Sequence, residues 1–553
     1  MTTADGSQPV ARPGFFPHLS RYFSPLFVPV VLAAFVLVAG ACGDSDEGSA
    51  ADEPPAGAGV SGDGADQDTE SGDQTTETGA GSESETAGSV AADGAEETVA
   101  EPETIEQLEA SWRAARTEVV DSIRQAGYGV GADNILRGPD GFQVDLNDCP
   151  AGWDDRAGTD GAVRIAQTSP QTGELWAYGL IADGLGIYFD YVNRDGGIDG
   201  QQLELLVLDD GYDRSRTVEV VEDLVAAEQP FAITTFGGPT SFAVTEQLND
   251  ECIPQPFVIS NHPAWGNPAN RPWTTGMQLS YSTEAMLWGT WIEQNLEDRL
   301  PVTVAALVVD SAFGSIYEES FSRWAEQNPD VIAEFVPVRH AERTQSVSAE
   351  MQQIAAADPD VFIAMTNESP CLLAVVAAGE VGLVGADTEL FTSSVCRNAG
   401  LYMAPAGSAA DGFRTLGGGW KVPNDPAHAD DLFMGWVNTT LAEAQADTAI
   451  GFFGSGFAYY GWAYVEALRI AAELDGGLTR SNLLLAQRAM TLEHPALLSG
   501  IEFSMSGSGD GYFVEGSNVD VFDAELGAWK PAGPVLDLNG LTPSCSWDGS
   551  TCS

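Results

Sequence analysis

From Ala162 onward, short apolar runs of β character alternate with amphipathic helical stretches, and no other feature of the sequence narrows the fold as far. A run at 163–167 is followed by a helical stretch with Ile181, Leu185, Tyr188 and Val192 on one face, then by a run at 203–208. Further runs fall at 231–235, 257–260, 302–309, 333–338, 361–365 and 389–392, with helical patterns between them. Strands separated by helices pair in parallel and are covered on both faces, so the expected class is α/β. One sheet of that length is not expected. The sequence fits two doubly wound parallel-sheet lobes, with lobe changes near 279–283, 412–420 and 502–512 that together make a three-segment hinge.

Ahead of this region, Arg12 and Arg21 precede an apolar run at 26–41 that is too short for a membrane span and ends in Ala39-Gly40-Ala41-Cys42. Residues 1–41 therefore read as a signal peptide. Small residues directly before a cysteine resemble the bacterial lipobox, which implies acylation of Cys42 and an extracytoplasmic protein anchored to the outer face of the bacterial cell membrane. The tract 42–103 is rich in Gly, Ser, Thr, Ala and acidic residues. Between 43 and 103 it holds eighteen acidic residues and no basic one. It has too little apolar surface to offset chain entropy and is expected to be a disordered tether. Apolar positions at helical spacing (Ile105, Leu108, Trp112, Val119, Ile123) then predict a helix within an N-terminal extension, 104–160, that continues as loop.

The formal charge is -59, from 82 acidic and 23 basic residues, and the only lysines are Lys421 and Lys530. Such a field repels nucleic acid and anionic lipid, so contact with the membrane is expected through the lipid anchor alone. Of seven cysteines, one is assigned to lipid and six are left for three disulfides. Short loops favour Cys371 with Cys396 and Cys545 with Cys552, leaving Cys149 with Cys252; an exchange in which Cys149 reaches the C-terminal pair stays open. No Cys/His cluster marks a metal site, and neither a metal nor a cofactor is expected. There is no Gly-x-Ser-x-Gly elbow, no P-loop, and no Gly-x-Gly-x-x-Gly after a strand, so an enzyme is not expected. His262 reads as a hydrogen-bonding residue of the first lobe and not as a base.

The segment Tyr191-Val-Asn-Arg-Asp-Gly-Gly-Ile-Asp-Gly200, followed by a β-run and Asp209-Asp210, resembles the Asn-x-x-Gly-Gly-Ile-x-Gly turn of branched-chain amino-acid binding proteins. In the order of that family come Gly237-Gly238-Pro239-Thr240-Ser241, Asp310-x-x-x-Gly314, and Ala458-Tyr459-Tyr460 opening a long helix. The resemblance covers about 162–532. It implies the type I periplasmic binding fold: lobe one at 161–281 and 413–505, lobe two at 282–412 and 506–535, and a Cys-containing tail at 536–553. The turn itself is expected to be structural, and the spacing of its Asn193, Asp195 and Asp199 is not that of a calcium loop.

Ligands of open α/β sheets collect at the carboxyl ends of strands. There Gly238, Thr240 and Ser241 open a helix, with Ser260 and Asn261 in the next loop; the resemblance implies that these two loops hold a carboxylate. Trp176 stands where relatives place an aromatic cover, and Phe313 where many carry a stacking Tyr. The loop containing Ser394 holds no carboxylate, whereas amino-acid-binding relatives place an acid there. Glu368, one loop earlier, is the remaining candidate for an ammonium group. The expected function is capture of a small polar or amphipathic ligand (amino acid, amide or carboxylate) by hinge closure and delivery to an ABC importer, the protein acting as a monomer. The alternatives are a ligand-binding sensor of the same fold and a surface protein without a small ligand.

Overall fold

The structure is a computed structural model and describes residues 102–173, 175–423, 425–446, 451–549 and 551–552. The expected signal peptide, Cys42 and all but the last two residues of the tether lie outside the described residues.

In the first lobe the central strand Ala162–Ser169 pairs in parallel with Gln202–Asp209 on one side and Ala232–Thr234 on the other. A parallel bridge between Phe236 and Ile259 carries the order on to Gln255–Val258, which pairs in parallel with Thr274–Gly276. In the second lobe Val302–Val309 lies between Ile332–His340 and Val361–Met365, followed by Glu389–Thr392 and Arg414–Leu416. Both sheets therefore run second, first, third, fourth, fifth, the doubly wound order whose reversal opens a crevice at the strand ends. Two antiparallel strands, Val519–Asp523 and Ala528–Pro531, extend the second sheet.

Helices on both faces explain the unbroken apolar runs: nearly every residue of Val302–Val309 is buried. The helix Leu180–Arg194 buries Ile181, Leu185, Tyr188 and Val192. In its last turn, the Asn193 side chain accepts from the Leu203 N–H (2.7 Å) and donates to the Leu203 carbonyl (2.8 Å), clamping helix to strand. Gly197 has φ 78°, and a Cβ there would lie 1.8 Å from the Gln201 carbonyl oxygen, so the reversal admits no side chain. The turn is structural.

The helices Leu432–Glu443, Trp462–Glu473 and Arg480–Arg488 return to the core of the first lobe. Two lobe boundaries differ from expectation. Phe413 packs in the core of the second lobe and Arg414–Leu416 in its sheet, so the first lobe does not resume at 413; the second crossing runs through Gly417-Gly418-Gly419, inside the expected 412–420. Phe513 and Val514 belong to the first-lobe core, which moves the third crossing from 506 to beyond Val514. The N-terminal extension begins with the expected helix, Ile105–Ala126, whose Arg116 meets the fully buried Glu466 at 2.6 Å. Its remainder, expected as loop, forms a small antiparallel sheet of Gly129–Val130, Ile135–Arg137 and Gln143–Asp145.

The disulfides are Cys149–Cys252, Cys371–Cys396 and Cys545–Cys552. The C-terminal tail touches both lobes. Leu536 and Leu538 sit in the second-lobe core, Thr542 bonds Thr283 (2.9 Å), and Trp547 packs edge-on against His262 of the first lobe at 4.6 Å. Among the described residues no helix is long and apolar enough to cross a membrane.

Candidate ligand-binding site

At the carboxyl ends of the first-lobe strands lies a cavity of about 350 Å³. Its wall includes Gly237, Gly238, Ser260 and Asn261 from the first lobe, Gln278 and Trp420 from the two neighbouring crossings, and Tyr281 and Val395 from the second lobe. A larger hollow of about 830 Å³ lies at the opposite end of the second sheet, around the starts of Glu389–Thr392 and Arg414–Leu416. It is away from the strand carboxyl ends, and its Arg414 and Glu389 are paired with each other.

The loop after Ala232–Thr234 turns at Gly237 (φ 78°) into the helix Gly238–Asp250. Gly238, the first residue of this helix, lines the cavity; Pro239 after it has no N–H, and the Ser241 N–H donates to the Gly237 carbonyl at 3.0 Å. Thr240 and Ser241, expected at the ligand, are fully buried and absent from the wall. The Thr240 hydroxyl donates back to the Phe236 carbonyl, and the Ser241 oxygen accepts from Thr235 at 2.7 Å. Their chemistry is spent inside the lobe. Ser260 faces the cavity and accepts from the His262 N–H at 3.3 Å, which leaves its own O–H to donate. Asn261 is at the wall but also pins the first crossing: its side chain donates to the Leu279 carbonyl (2.8 Å) and its own carbonyl accepts from the Tyr281 N–H (2.9 Å).

Aromatic rings make up most of the remaining wall. Tyr178 packs between Phe236 (5.1 Å) and Phe452 (4.3 Å), and Trp420 stacks on Tyr459 at 4.4 Å. Tyr212 has φ 62°, with its N–H on the Asp210 carboxylate at 2.9 Å. A Cβ at Gly237 would lie 2.3 Å from its ring. A bulky residue in the left-handed region marks a position held by its surroundings, and here the missing side chain at 237 is what makes room. Ser455, Tyr459 and Tyr460, which border the cavity, lie on a π-helical segment, Ser455–Gly461. Tyr460 is 2% exposed, and its hydroxyl has no hydrogen-bond partner among the described residues.

Trp176 is 50% exposed and outside the wall; Tyr178, two residues on in the same short helix, is the ring that faces inward. Phe313 packs on Tyr281 (4.9 Å) and Tyr317 (5.1 Å) in the second lobe and does not line the cavity. Glu368 is exposed beside its helix and likewise outside the wall. Ser394 is committed elsewhere. Its N–H and O–H both donate to Glu284 at 2.7 Å, and Glu284 also accepts from the Tyr317 hydroxyl at 2.7 Å. Burial away from water pushes the Glu284 carboxyl up to about 7.

His262 accepts from the Ala264 N–H at 3.1 Å, and burial pulls its imidazole down to about 3, so it stays neutral. No cluster of potential metal ligands occurs among the described residues. Tyr212, Tyr281, Trp420 and Phe452 were not singled out from the sequence, and Tyr459 and Tyr460 only as the opening of a helix. The clearest available signal is Gly211-Tyr212, a turn directly after the acidic end of a strand.

Residues 162–510 match the family described as periplasmic binding protein. The structure is similar to one titled as an ABC transporter permease from the Pseudomonas fluorescens group, with 18% identity, 68% of this chain and 92% of that one covered, and a TM-score of 0.58. It is also similar to a branched-chain amino acid ABC transporter protein from Thermus thermophilus with bound valine (17% identity, 68% and 97% covered, TM-score 0.55). A third is a solute-binding protein of an ABC transporter from Rhodopseudomonas palustris in complex with 3,4-dihydroxybenzoic acid (17%, 69% and 98%, 0.52). No curated protein matches the sequence.

Proposed function

The chain belongs to the periplasmic binding protein family, and from that membership we propose that it is an exported, lipid-anchored solute-binding protein that hands a small molecule to an ABC importer. One observation carries this reading: the cavity is lined from both lobes and bordered by Gln278 and Trp420 at two of the crossings, so rotation about the crossings opens or seals it. Ligand docks on the first lobe, where most of the wall lies. The second lobe then folds over it, and binding free energy shifts the population toward the closed form that the membrane partner recognises. Acylation of Cys42 holds the protein at the outer face of the cell membrane, with 42–103 as tether and one chain per binding unit.

The test is a thermal-shift panel on the full mature chain with amino acids, amides, short-chain acids and aromatic carboxylates, followed by small-angle scattering with each binder. A ligand at a hundred times its dissociation constant adds about 2.7 kcal/mol to stability, so a true ligand raises the melting temperature by several degrees. The radius of gyration is expected to fall with that ligand. A binder that leaves the dimensions unchanged overturns hinge closure, and a panel with no binder overturns solute capture.

A further inference from the structure

Strand register places an acid where two loops of the cavity meet. Asp209 ends the strand Gln202–Asp209 directly opposite Ser169, the last residue of the central strand, so its carboxylate reaches the loops that leave both strands.

That carboxylate is fully engaged. One oxygen accepts from the N–H groups of Gln171 (3.0 Å), Thr172 (3.2 Å) and Gly211 (3.1 Å), and the other from the Thr172 hydroxyl (2.8 Å) and the Arg216 guanidinium (2.9 Å). Desolvation pushes the carboxyl up, but the donors of Thr172 and Gly211 and the charge of Arg216 outweigh it and hold the group below the ordinary carboxylate range. It is an anion at neutral pH, and hydrogen bonds to an ionised acceptor are about twice as strong as neutral ones.

Each of the two loops carries a ring to the cavity wall. In the first, the Gln171 side chain donates to the carbonyl of Gly179 at 3.2 Å, one residue past Tyr178. In the second, Tyr212 follows Gly211, and its N–H is held by Asp210, whose other oxygen accepts from the Thr217 hydroxyl at 3.0 Å. Tyr178 and Tyr212 both pack on Phe236, at 5.1 Å and 5.8 Å, and all three rings border the cavity. Asp209, Gln171, Thr172 and Gly211 stand behind the wall. Asp210 sets one ring, whereas Asp209 ties the loops of both rings to each other. Rings held in place before binding do not lose that freedom on binding.

Resting on the solute-binding reading above, we propose that Asp209 is a positioning residue of the cavity: without touching the ligand, its charge locks the loops of Tyr178 and Tyr212 together and so fixes the spacing of two rings that the ligand meets as a pair.

Fluorine NMR of the full mature chain labelled with 3-fluorotyrosine reads each ring with no ligand present, and single Tyr→Phe variants assign the signals of Tyr178, Tyr212, Tyr188 and Tyr464. Asp209→Asn keeps the shape but turns one acceptor oxygen into an NH2 that faces donors. It is expected to shift or broaden the Tyr178 and Tyr212 signals together, while those of Tyr188 and Tyr464, in the core of the same lobe, stay in place. Thr172→Ala, at an exposed position, is expected to move the same two signals less, and it decides alone if Asp209→Asn does not fold. By titration calorimetry, the panel compound with the largest thermal shift is expected to bind Asp209→Asn about tenfold more weakly than the native sequence. Unmoved Tyr178 and Tyr212 signals overturn the inference, as does movement of all four, which marks general loosening of the lobe, or native affinity with the two rings displaced. A panel with no binder removes solute capture, and the fluorine spectra still decide whether Asp209 holds the rings.

Discussion

At the strand ends of the first lobe, Gly238 and Ser260 border the cavity, and the Ser260 hydroxyl, which accepts from the His262 N–H, keeps its own proton to donate. At the corresponding ends of the second lobe, Glu284 takes both polar groups of Ser394 and the hydroxyl of Tyr317. The two sheets have the same strand order. Topology brings both sets of loops to the crevice, and local bonding decides which becomes a platform and which a braced cover. Rings come from both sides, Tyr212 of the first lobe and Tyr281 of the second lining the wall, while Phe313 packs into its own lobe.

The largest effect that probes this contrast lies in the brace. The native protein holds a proton on Glu284 up to about pH 7, whereas the unfolded chain releases it near its ordinary value of 4.5. Native protein then binds more protons than unfolded chain between those values, so this group's contribution is complete at pH 4.5 and is lost as pH rises through 7. The loss is on the order of 3 kcal/mol. Burial also holds Glu515 up to about 7 and Asp510 up to about 6, so urea unfolding at pH 5 and pH 8 is expected to differ by more than this in the native sequence, and the difference is expected to shrink by about the Glu284 share in Glu284→Gln. An unchanged difference removes Glu284 as the brace.

On the platform, Gly237→Ala pushes against Tyr212 and forces φ 78° on a residue with a Cβ. Affinity for a binder found in the thermal-shift panel is expected to fall about thirtyfold, roughly 2 kcal/mol. Native affinity in this variant means that Tyr212 is not part of the platform. The sharpest comparison is also the smallest in effect: Tyr212→Ala is expected to cost about tenfold in affinity, and Phe313→Ala less than about twofold. Equal losses from the two truncations contradict the division between lobes.

Long apolar runs made most of the sheet legible: residues 302–309 and 361–365 are strands with the bounds their composition suggests. The short strands Thr274–Gly276 and Arg414–Leu416 escaped, because three residues form no pattern and both are specified by partners already in the sheet. The same limit applies within the site. Gly238, Ser260 and Asn261 follow directly from predicted strands and do reach the cavity wall. Ser394 also follows a predicted strand, but the carboxylate that claims it is 110 residues away in sequence. The space for Tyr212 is created by a glycine that only the folded chain brings beside it.

The C-terminal tail adds a mechanical element to a molecule otherwise joined by three crossings. The Cys545 N–H donates to Gly266 of the first lobe at 3.2 Å, and the Cys552 carbonyl accepts from Arg323 of the second at 3.3 Å, with the disulfide closing the chain between them. Lobe separation along that edge is leashed by a cross-linked loop of fixed length. In the hinge closure proposed above, the travel of the jaws, and with it how far the mouth gapes, is then set by the C-terminal loop as well as by the crossings.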